Sequence, residues 1–217
     1  MNAILFDLDG TLIDSTEAIL DGFRYAYTKF SLPVPPKERI LSLIGHPLDF
    51  MFAHLGVEGS VEPFVEAYKE RYRVISKNKT TLLPTAKEAI MLAHSFAKLA
   101  VVTTKTGLYS RELLDHLGLL EFFEIVIGRE DVIHPKPHPE PIIKVLHHLR
   151  TPKERAWMVG DTCLDMEAAK RAGIEAVGVS CGYGSKEQLG RCADHVKATP
   201  LEAIELIENF FLTNKLL

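Results

Sequence analysis

The spacing of apolar residues divides the chain into two patterns that meet near residue 80. Beyond Pro84, short apolar runs alternate with amphipathic stretches long enough for helices, and the runs are 100–102, 125–127, 157–159 and 176–179. This alternation predicts βαβ units and a parallel sheet with right-handed crossovers. A similar run at 3–6 should join that sheet, because a lone strand cannot satisfy its own backbone. A last amphipathic stretch, 200–211, predicts a helix that closes the core.

Residues 15–80 show a helical pattern instead. Apolar side chains recur there at the three- and four-residue spacing of one helix face, and they are Val61, Phe64, Val65, Tyr68, Tyr72 and Ile75. Ser15 can cap a helix that runs to about Lys29, and Pro35-Pro36 can open a second one. We therefore predict an all-α insert between the first strand and the rest of the sheet.

The two patterns together predict an α/β fold: a doubly wound, Rossmann-like parallel sheet with an inserted all-α helical cap domain. The core would comprise residues 1–14 and 82–217, and the insert residues 15–81. The chain would cross between the two domains at hinges near residues 14–16 and 80–84.

Composition is that of an ordinary globular protein, because 47% of the 217 residues are hydrophobic and 25% are charged. The 25 Lys and Arg against 29 Asp and Glu give a net charge of −4, so no excess of positive charge is present to hold a nucleic-acid backbone. The longest apolar runs are far shorter than the roughly 20 residues that cross a bilayer. We therefore expect neither nucleic acid nor a membrane as a partner.

The three cysteines, Cys163, Cys181 and Cys192, form no C-x-x-C pair and no zinc-ligand spacing. Unpaired cysteines are typical of a compartment that keeps thiols reduced. The N-terminal run also leads directly into acidic residues rather than into a signal-peptide cleavage site. We therefore expect a cytoplasmic protein, present as a monomer or a homodimer.

Acidic side chains follow two of the predicted strands. Asp7 and Asp9 stand two residues apart, so on an extended backbone both carboxylates would leave one face about 6.5 Å from each other. Such a pair repels and is either an acid/base dyad or part of a metal site. Asp161 and Asp165 add oxygen atoms after the strand at 157–159. Because oxygen ligands with few nearby histidines favour Mg²⁺ over zinc, we expect a magnesium site.

Two further segments supply groups for an anion at the same edge of the sheet. Thr103-Thr104-Lys105 follows the run at 100–102, and Lys136 lies in a loop with prolines on both sides. These prolines fix φ and so aim the lysine at little conformational cost. Because ligands of open parallel sheets bind outside the carboxyl ends of the strands, these groups should converge with the acids. Carboxylates, Mg²⁺, a hydroxyl and lysine together suit a phosphoryl group.

Four segments resemble, in order and spacing, the motifs of the haloacid dehalogenase superfamily. They are Asp7-Leu-Asp-Gly-Thr-Leu12, Thr103 at a strand end, Lys136 in a Lys-Pro-His-Pro loop, and Gly160-Asp-x-x-x-Asp165. The resemblance covers nearly the whole chain, because the helical insert looks like the small cap of phosphoglycolate phosphatases. Gly182-Tyr-Gly184 is similar to a segment common in those enzymes.

The resemblance implies a role for each matching residue. Asp7 would attack phosphorus and form an aspartyl-phosphate, and Asp9 would be the general acid for the leaving group and then the base for water. Lys136 would neutralise charge on the nucleophile and on the transferred group. Mg²⁺ would be held by the Asp7 carboxylate, the Asp9 carbonyl oxygen and Asp161, with Asp165 orienting Lys136 or a metal-bound water.

Substrate contacts are expected from Gly10, Thr103, Thr104 and His46, the last in a loop of the insert that would return to the site. The implied activity is Mg²⁺-dependent hydrolysis of a small phosphomonoester, with phosphoglycolate first, and pyrophosphate or another metabolite phosphate as the alternative. A phosphohexose mutase or a non-catalytic metabolite-binding module stays open. Taken alone, each motif also fits a plain turn, helix cap or solvated loop. A metal-free dehalogenase is disfavoured by Asp9 and Asp161.

Overall fold

The computed structural model of the protein describes residues 2–213. Its strands in chain order are β1 (Asn2–Phe6), β2 (Ile13–Asp14), β3 (Thr81–Leu82), β4 (Ala97–Val102), β5 (Phe123–Ile127), β6 (Ala156–Gly160), β7 (Glu175–Val179) and β8 (His195–Lys197). Its α-helices are α1 (Thr16–Lys29), α2 (Lys37–Leu41), α3 (Leu48–His54), α4 (Glu62–Ile75), α5 (Ala86–His94), α6 (Gly107–His116), α7 (Glu140–Leu149), α8 (Cys163–Ala172), α9 (Lys186–Leu189) and α10 (Pro200–Thr213).

The main sheet is parallel, with the strand order β5-β4-β1-β6-β7-β8. Alternating residues of the central strand β1 serve two cores: Ile4 and Phe6 pack with α5, α6 and α10, whereas Ala3 and Leu5 pack with α7 and α8. Helices therefore cover both faces, and the predicted doubly wound fold is confirmed. The edge strand β8 was not predicted, because a three-residue strand with one apolar residue, Val196, gives almost no pattern.

Helices α1 to α4, which we call the helical insert, lie between β2 and β3. These two short strands pair antiparallel, Ile13 with Leu82 and Asp14 with Thr81, at the predicted crossing points. The helices at 16–29 and 62–75 match the predicted pattern, and α2 begins directly after Pro36. The Ser15 side chain, however, makes no capping hydrogen bond to α1; its hydroxyl donates to Asp9 instead.

Aromatic rings form the centre of the insert. The ring of Phe23 on α1 lies 4.7 Å from that of Phe52 on α3 and 5.1 Å from that of Tyr68 on α4. These residues are buried, so the aromatic stripe of α4 is core, as its helical spacing predicts. These rings belong to the same buried cluster as Ile4 and Phe6 of β1, so the insert packs continuously onto one face of the sheet.

A buried carboxylate links α1 to the C-terminal part of the insert. Asp21 accepts hydrogen bonds from Arg71 Nε at 2.9 Å and from Lys79 Nζ at 2.9 Å, and it also pairs with Arg24 at 3.2 Å. The hydrogen bond from Arg71 is the main cause that lowers the pKa of Asp21 to about 2, with Lys79 adding to it. The carboxylate is therefore charged at neutral pH and fixes α1 against α4.

Cys163 and Cys192 form a disulfide, so the expectation of three reduced thiols is wrong for this pair. Cys163 is the first residue of α8, and Cys192 follows α9. The neighbouring strands β6 and β7 bring these two segments together, and no short sequence motif records that proximity. Cys181 is the free cysteine of the described chain. No helix in residues 2–213 combines the length and the apolar character that crossing a bilayer requires.

Candidate active site

Three buried carboxylates meet at the carboxyl edge of the central strands. Asp7 follows β1 and Asp161 follows β6, and these strands pair side by side up to Phe6 and Val159. Asp165, one turn into α8, completes the group. One carboxylate oxygen from each of the three lies within 4.8 Å of the others, and all three side chains are buried. The predicted convergence of the first and fourth motifs is therefore present.

Lys136 stands among these acids. Its Nζ lies 2.8 Å from Asp7 Oδ1 and 2.5 Å from Asp165 Oδ1, and it donates to the Val102 carbonyl at 2.9 Å. The side chain is 1% exposed, so these oxygen atoms replace water as its partners. Burial alone would lower the pKa of Lys136, but Asp165 and Asp7 hold it above its ordinary value. The lysine is therefore a fixed cation.

The cluster carries more negative charge than Lys136 balances. Burial raises the pKa of Asp7 to about 7, with Asp165 adding to the shift and Lys136 opposing it. Burial also raises the pKa of Asp161 well above its ordinary value, and the nearby Asp7 and Asp165 contribute. Asp161 has no ion-pair partner within the part of the chain that the structure describes. Hard oxygen donors with unbalanced negative charge fit a divalent cation such as Mg²⁺.

Asp161 is fixed by the segments around it. Its Oδ2 accepts the backbone N–H of Tyr183 at 2.7 Å, and its Oδ1 accepts the Thr11 hydroxyl at 3.2 Å. A Cβ at Gly10 or at Gly182 would lie 2.2 Å from Asp161 Oδ2, so glycine is required at both positions. The Gly10 amide donates to the Ile13 carbonyl within the turn. Its contact with substrate therefore stays a prediction.

Asp165 joins the helix start to the lysine. One of its oxygens, Oδ2, accepts the backbone N–H of Thr162 at 3.1 Å and the Thr162 hydroxyl at 2.9 Å, which caps α8. The other oxygen contacts Lys136. Of the two expected roles, orienting Lys136 or orienting a metal-bound water, the first has a direct contact in the structure.

Asp9 has different partners from Asp7. Its Oδ1 accepts the Ser15 hydroxyl, and its Oδ2 lies 2.7 Å from Lys105 Nζ. Two aspartates two residues apart therefore avoid mutual repulsion because each has its own lysine, Lys136 for Asp7 and Lys105 for Asp9. The sequence pointed to Lys105 as part of an anion-binding segment, but not to its pairing with Asp9.

Lys105 lies beneath the helical insert, with 10% of its side chain exposed. Its Nζ lies 4.6 Å from the ring centroid of Tyr72 on α4. Burial would lower the pKa of Lys105, but the carboxylate of Asp9 more than compensates and holds it well above its ordinary value. Tyr72 was predicted as core, and it is 1% exposed. Its second contact, with a lysine on the loop after β4, has no sequence signal, because an apolar helical stripe looks the same whether or not it also covers a charged group.

The two threonines after β4 have separate contacts. The Thr103 hydroxyl accepts the backbone N–H of Lys105 at 3.2 Å, and this residue is buried at the strand end. The Thr104 hydroxyl donates to the Gly45 carbonyl at 2.8 Å and so joins the core to a loop of the insert. Thr104 thus has a structural contact, and substrate binding by either threonine stays a prediction.

A cavity of about 370 Å³ lies between the insert and the core. Asp9, Thr104 and Lys105 line it from the core, and His46, Tyr68 and Tyr72 line it from the insert. The His46 ring stacks on Phe50 with 4.2 Å between ring centroids, and burial lowers its pKa. His46 is thus a neutral polar group at the wall of the cavity, where the sequence analysis expected a substrate contact.

The family is decided by comparison with known proteins. A family model described as haloacid dehalogenase-like hydrolase matches residues 4–179. The chain belongs to this family. The resemblance drawn from its motifs is therefore confirmed, and so is the expectation of a hydrolase.

Two curated relatives of similar length are named as phosphatases. The chain is 32% identical over 197 residues to a phosphoglycolate phosphatase from Pectobacterium atrosepticum, and the match covers 87% of this chain and 84% of that protein. It is 34% identical over 190 residues to the pyrophosphatase PpaX from Anoxybacillus flavithermus, and the match covers 87% of this chain and 88% of that protein.

A solved structure of the family has the same architecture. The haloacid dehalogenase-like hydrolase SP0104 from Streptococcus pneumoniae superimposes with a TM-score of 0.87 at 27% identity. The match covers 95% of this chain and 98% of that one. The helical insert therefore belongs to an architecture that this family member shares.

Proposed function

We propose that this haloacid dehalogenase-like hydrolase is a Mg²⁺-dependent phosphatase that hydrolyses a small phosphomonoester through an aspartyl-phosphate on Asp7. The observation that carries the proposal is the contact of Asp7 with Lys136 at 2.8 Å beside a second buried acid, Asp161. Family membership and the named relatives support the reaction class.

The proposed reaction has two displacements at phosphorus. In the first, an Asp7 oxygen forms a bond to phosphorus while the bond from phosphorus to the leaving oxygen breaks, and Asp9 gives that oxygen a proton. In the second, a water oxygen attacks phosphorus, Asp9 takes the proton, and the Asp7 carboxylate leaves. Lys136 stays paired with Asp7 throughout and stabilises the charge that develops on the transferred group.

The residues present fit a magnesium ion, because hard oxygen donors are gathered without enough cations to neutralise them. Asp7, Asp161 and the Asp9 carbonyl oxygen would hold it. When bound, Mg²⁺ supplies positive charge for the phosphoryl oxygens. Thr103, at the end of β4, would donate its hydroxyl hydrogen to one of those oxygens.

We further propose that residues 15–81 act as a cap domain over the core of residues 1–14 and 82–217. A cavity of about 370 Å³ lies between them, lined by Asp9 and Lys105 but not by Asp7, and it has the size of small-molecule sites. A cap over this cavity would limit the access of bulk water to Asp9 and, two residues away, to the aspartyl-phosphate, as lids of other enzymes do. His46 and Thr104 would contact the substrate from the two sides.

Phosphoglycolate is the first substrate to test, because a relative at 32% identity is named for it. Pyrophosphate is the second, because a relative at 34% identity is named a pyrophosphatase. A mutase would convert a sugar phosphate without releasing phosphate, and a binding module would release none. The cytoplasm stays our proposed compartment on the ground of a metabolite-phosphate substrate, because the Cys163–Cys192 disulfide removes the argument from three reduced thiols. A monomer or homodimer is the proposed state.

The test is phosphate release by the purified chain from p-nitrophenyl phosphate, phosphoglycolate, pyrophosphate and a panel of metabolite phosphates. Each compound is assayed with Mg²⁺ and with EDTA. We expect release that requires the metal and is lost in Asp7→Asn, which keeps the size of the side chain and removes the nucleophile. Absence of release from every compound would overturn the proposal.

A further inference from the structure

Asp9 is held at both oxygens by residues outside the acidic cluster. Ser15, at the start of the helical insert, donates to Oδ1, and Lys105, on the loop after β4, contacts Oδ2 at 2.7 Å. In the proposed reaction Asp9 moves a proton twice, so its place relative to the leaving oxygen and the water matters in both steps. A shift of about 1 Å in such a group can cost about 100-fold in rate.

The Lys105 backbone is anchored by the core. Its N–H donates to the Thr103 hydroxyl at 3.2 Å, and its carbonyl accepts the Arg129 N–H at 2.9 Å. An ammonium group that is mostly shielded from water is strongly disfavoured without a partner of opposite charge. Lys105 therefore needs the Asp9 carboxylate. The anchored loop therefore fixes the carboxylate through the lysine.

The insert closes the remaining side of this ammonium. The Tyr72 ring presents its face to Lys105 Nζ at 4.6 Å, a geometry in which the ring and the cation attract. The ring face of Tyr72 therefore covers the side of the cation that faces the insert.

We propose that Lys105 is a positioning residue for Asp9. We further propose that Tyr72 makes the Lys105–Asp9 contact depend on the insert lying over the core. Lys105 acts through Asp9 and makes no ion pair with the Asp7 nucleophile in the described chain; it keeps the Asp9 carboxylate at the wall of the cavity. When α4 moves away from the loop after β4, the ammonium loses its aromatic cover and the carboxylate loses its fixed place. The inference rests on the proposed phosphatase function.

The main test compares Lys105→Met with the wild type on phosphoglycolate and on p-nitrophenyl phosphate. Methionine keeps the length of the side chain and removes the charge. With phosphoglycolate we expect kcat to fall about 10- to 100-fold while KM changes less than about threefold, because the acid is misplaced and the substrate contacts remain.

The second substrate separates the two steps. The p-nitrophenolate group leaves without a proton, so Lys105→Met should form the aspartyl-phosphate at near wild-type rate and then hydrolyse it slowly. We expect a burst of about one p-nitrophenolate per enzyme followed by slow turnover. Lys105→Arg, which keeps the charge, should restore part of kcat on both substrates.

Two further variants isolate the contact, one as a control and one as a test of the aromatic cover. Lys98→Met removes a half-buried lysine on the same strand-and-loop segment, whose Nζ donates to the Leu149 carbonyl at 3.3 Å, and it should leave kcat within about twofold. Tyr72→Leu should lower kcat in the same direction as Lys105→Met but less.

The outcomes distinguish the two proposals. If the wild type releases phosphate and Lys105→Met keeps its kcat, the positioning role is wrong and the phosphatase stands. A rise in KM alone would also overturn it, because that result identifies a substrate-binding lysine. If circular dichroism shows that Lys105→Met does not fold, Lys105→Arg and Tyr72→Leu carry the same comparison. If the wild type is inactive on every compound, both proposals fall.

Discussion

Lys136 Nζ lies 2.8 Å from Asp7 Oδ1, and the two side chains are only 1% and 5% exposed. The contact joins a loop between β5 and α7 to the end of β1, so two distant segments of the chain determine one ion pair. Removing one partner of a buried pair leaves the other uncompensated, which is a far larger change than loss of a surface charge. The pair therefore gives the most sensitive test of the site.

Lys136→Met should lower kcat/KM on the order of 100- to 1000-fold, because the transferred group loses a preorganised cation. Lys136→Arg should not restore activity, since a planar guanidinium cannot take the place of a compact ammonium among three oxygens. The measurement is steady-state phosphate release with Mg²⁺. Recovery of most of the activity by arginine would show that charge alone matters and would contradict this geometry.

Magnesium should stabilise the protein more at high pH than at low pH. Without metal, the pKa of Asp7 is raised from 3.8 in an unperturbed chain to about 7. A raised acid pKa means that the folded protein keeps a proton which the unfolded chain has lost, so stability falls as pH rises towards 7. A metal ion that replaces this proton restores the stability that is lost as pH rises.

The measurement is the unfolding temperature with and without millimolar MgCl₂ at about pH 5 and about pH 8, with KCl at matched ionic strength as the control. We expect a rise of several degrees at the higher pH and a smaller one at the lower. Asp161→Asn should abolish the difference between the Mg²⁺-induced rises at the two pH values. An equal rise at both pH values would contradict a metal site built from these carboxylates.

Asp21→Asn should destabilise the helical insert. The change removes the charge that holds Arg71 and Lys79, and we expect a loss of about 1–2 kcal/mol in the free energy of unfolding, allowing for the partial exposure of both cations. Because the pKa of Asp21 is lowered to about 2, its contribution is complete above about pH 4 and is lost as pH falls through 2.

Urea unfolding of Asp21→Asn at neutral pH measures this loss, and Glu70→Gln is the matched control. Glu70 pairs with Lys29 at 2.6 Å on the same two helices, but both side chains are exposed. The control should unfold at the wild-type urea midpoint. Equal effects from both substitutions would mean that the burial of Asp21 is irrelevant.

The disulfide predicts the number of free thiols. A thiol reagent added to the denatured, unreduced chain should detect one thiol, Cys181, and three after reduction. Cys192→Ser should lower the free energy of unfolding by about 2–4 kcal/mol, because a closed loop of this length restricts the unfolded chain. Cys163→Ser should have the same effect, and the double variant should add nothing further. Three thiols before reduction would contradict the pairing.

The chemistry of this chain was easier to predict than its contacts across domains. Asp7, Asp161 and Lys136 follow strands of a parallel sheet, and such strands end at one edge in every doubly wound fold. The partners of Asp9 could not be found in this way. Tyr72 lies on α4 of the insert and Lys105 on the loop after β4, and their contact depends on how the insert packs on the sheet, which local periodicity does not determine.

The difference between local pattern and tertiary contact also explains why the disulfide and the hydrogen bond of Ser15 were not predicted. Cys163 and Cys192 meet because β6 and β7 are neighbours, and strand order is a property of the whole sheet rather than of any segment. Ser15 has the residue type that caps helices, and its position was predicted correctly at the start of α1. A nearby carboxylate took its hydroxyl, so tertiary structure overrode a sound local preference.

The ribbon of β2 and β3 has a consequence for the evolution of this fold. Both chain crossings between the two domains lie within four paired residues, from Ile13 with Leu82 to Asp14 with Thr81. Everything between them can be lengthened, shortened or exchanged while each strand of the main sheet keeps its neighbours. Selection for a new substrate can therefore act on the rest of the inserted module, provided that the contacts of Ser15 with Asp9 and of Tyr72 with Lys105 are kept.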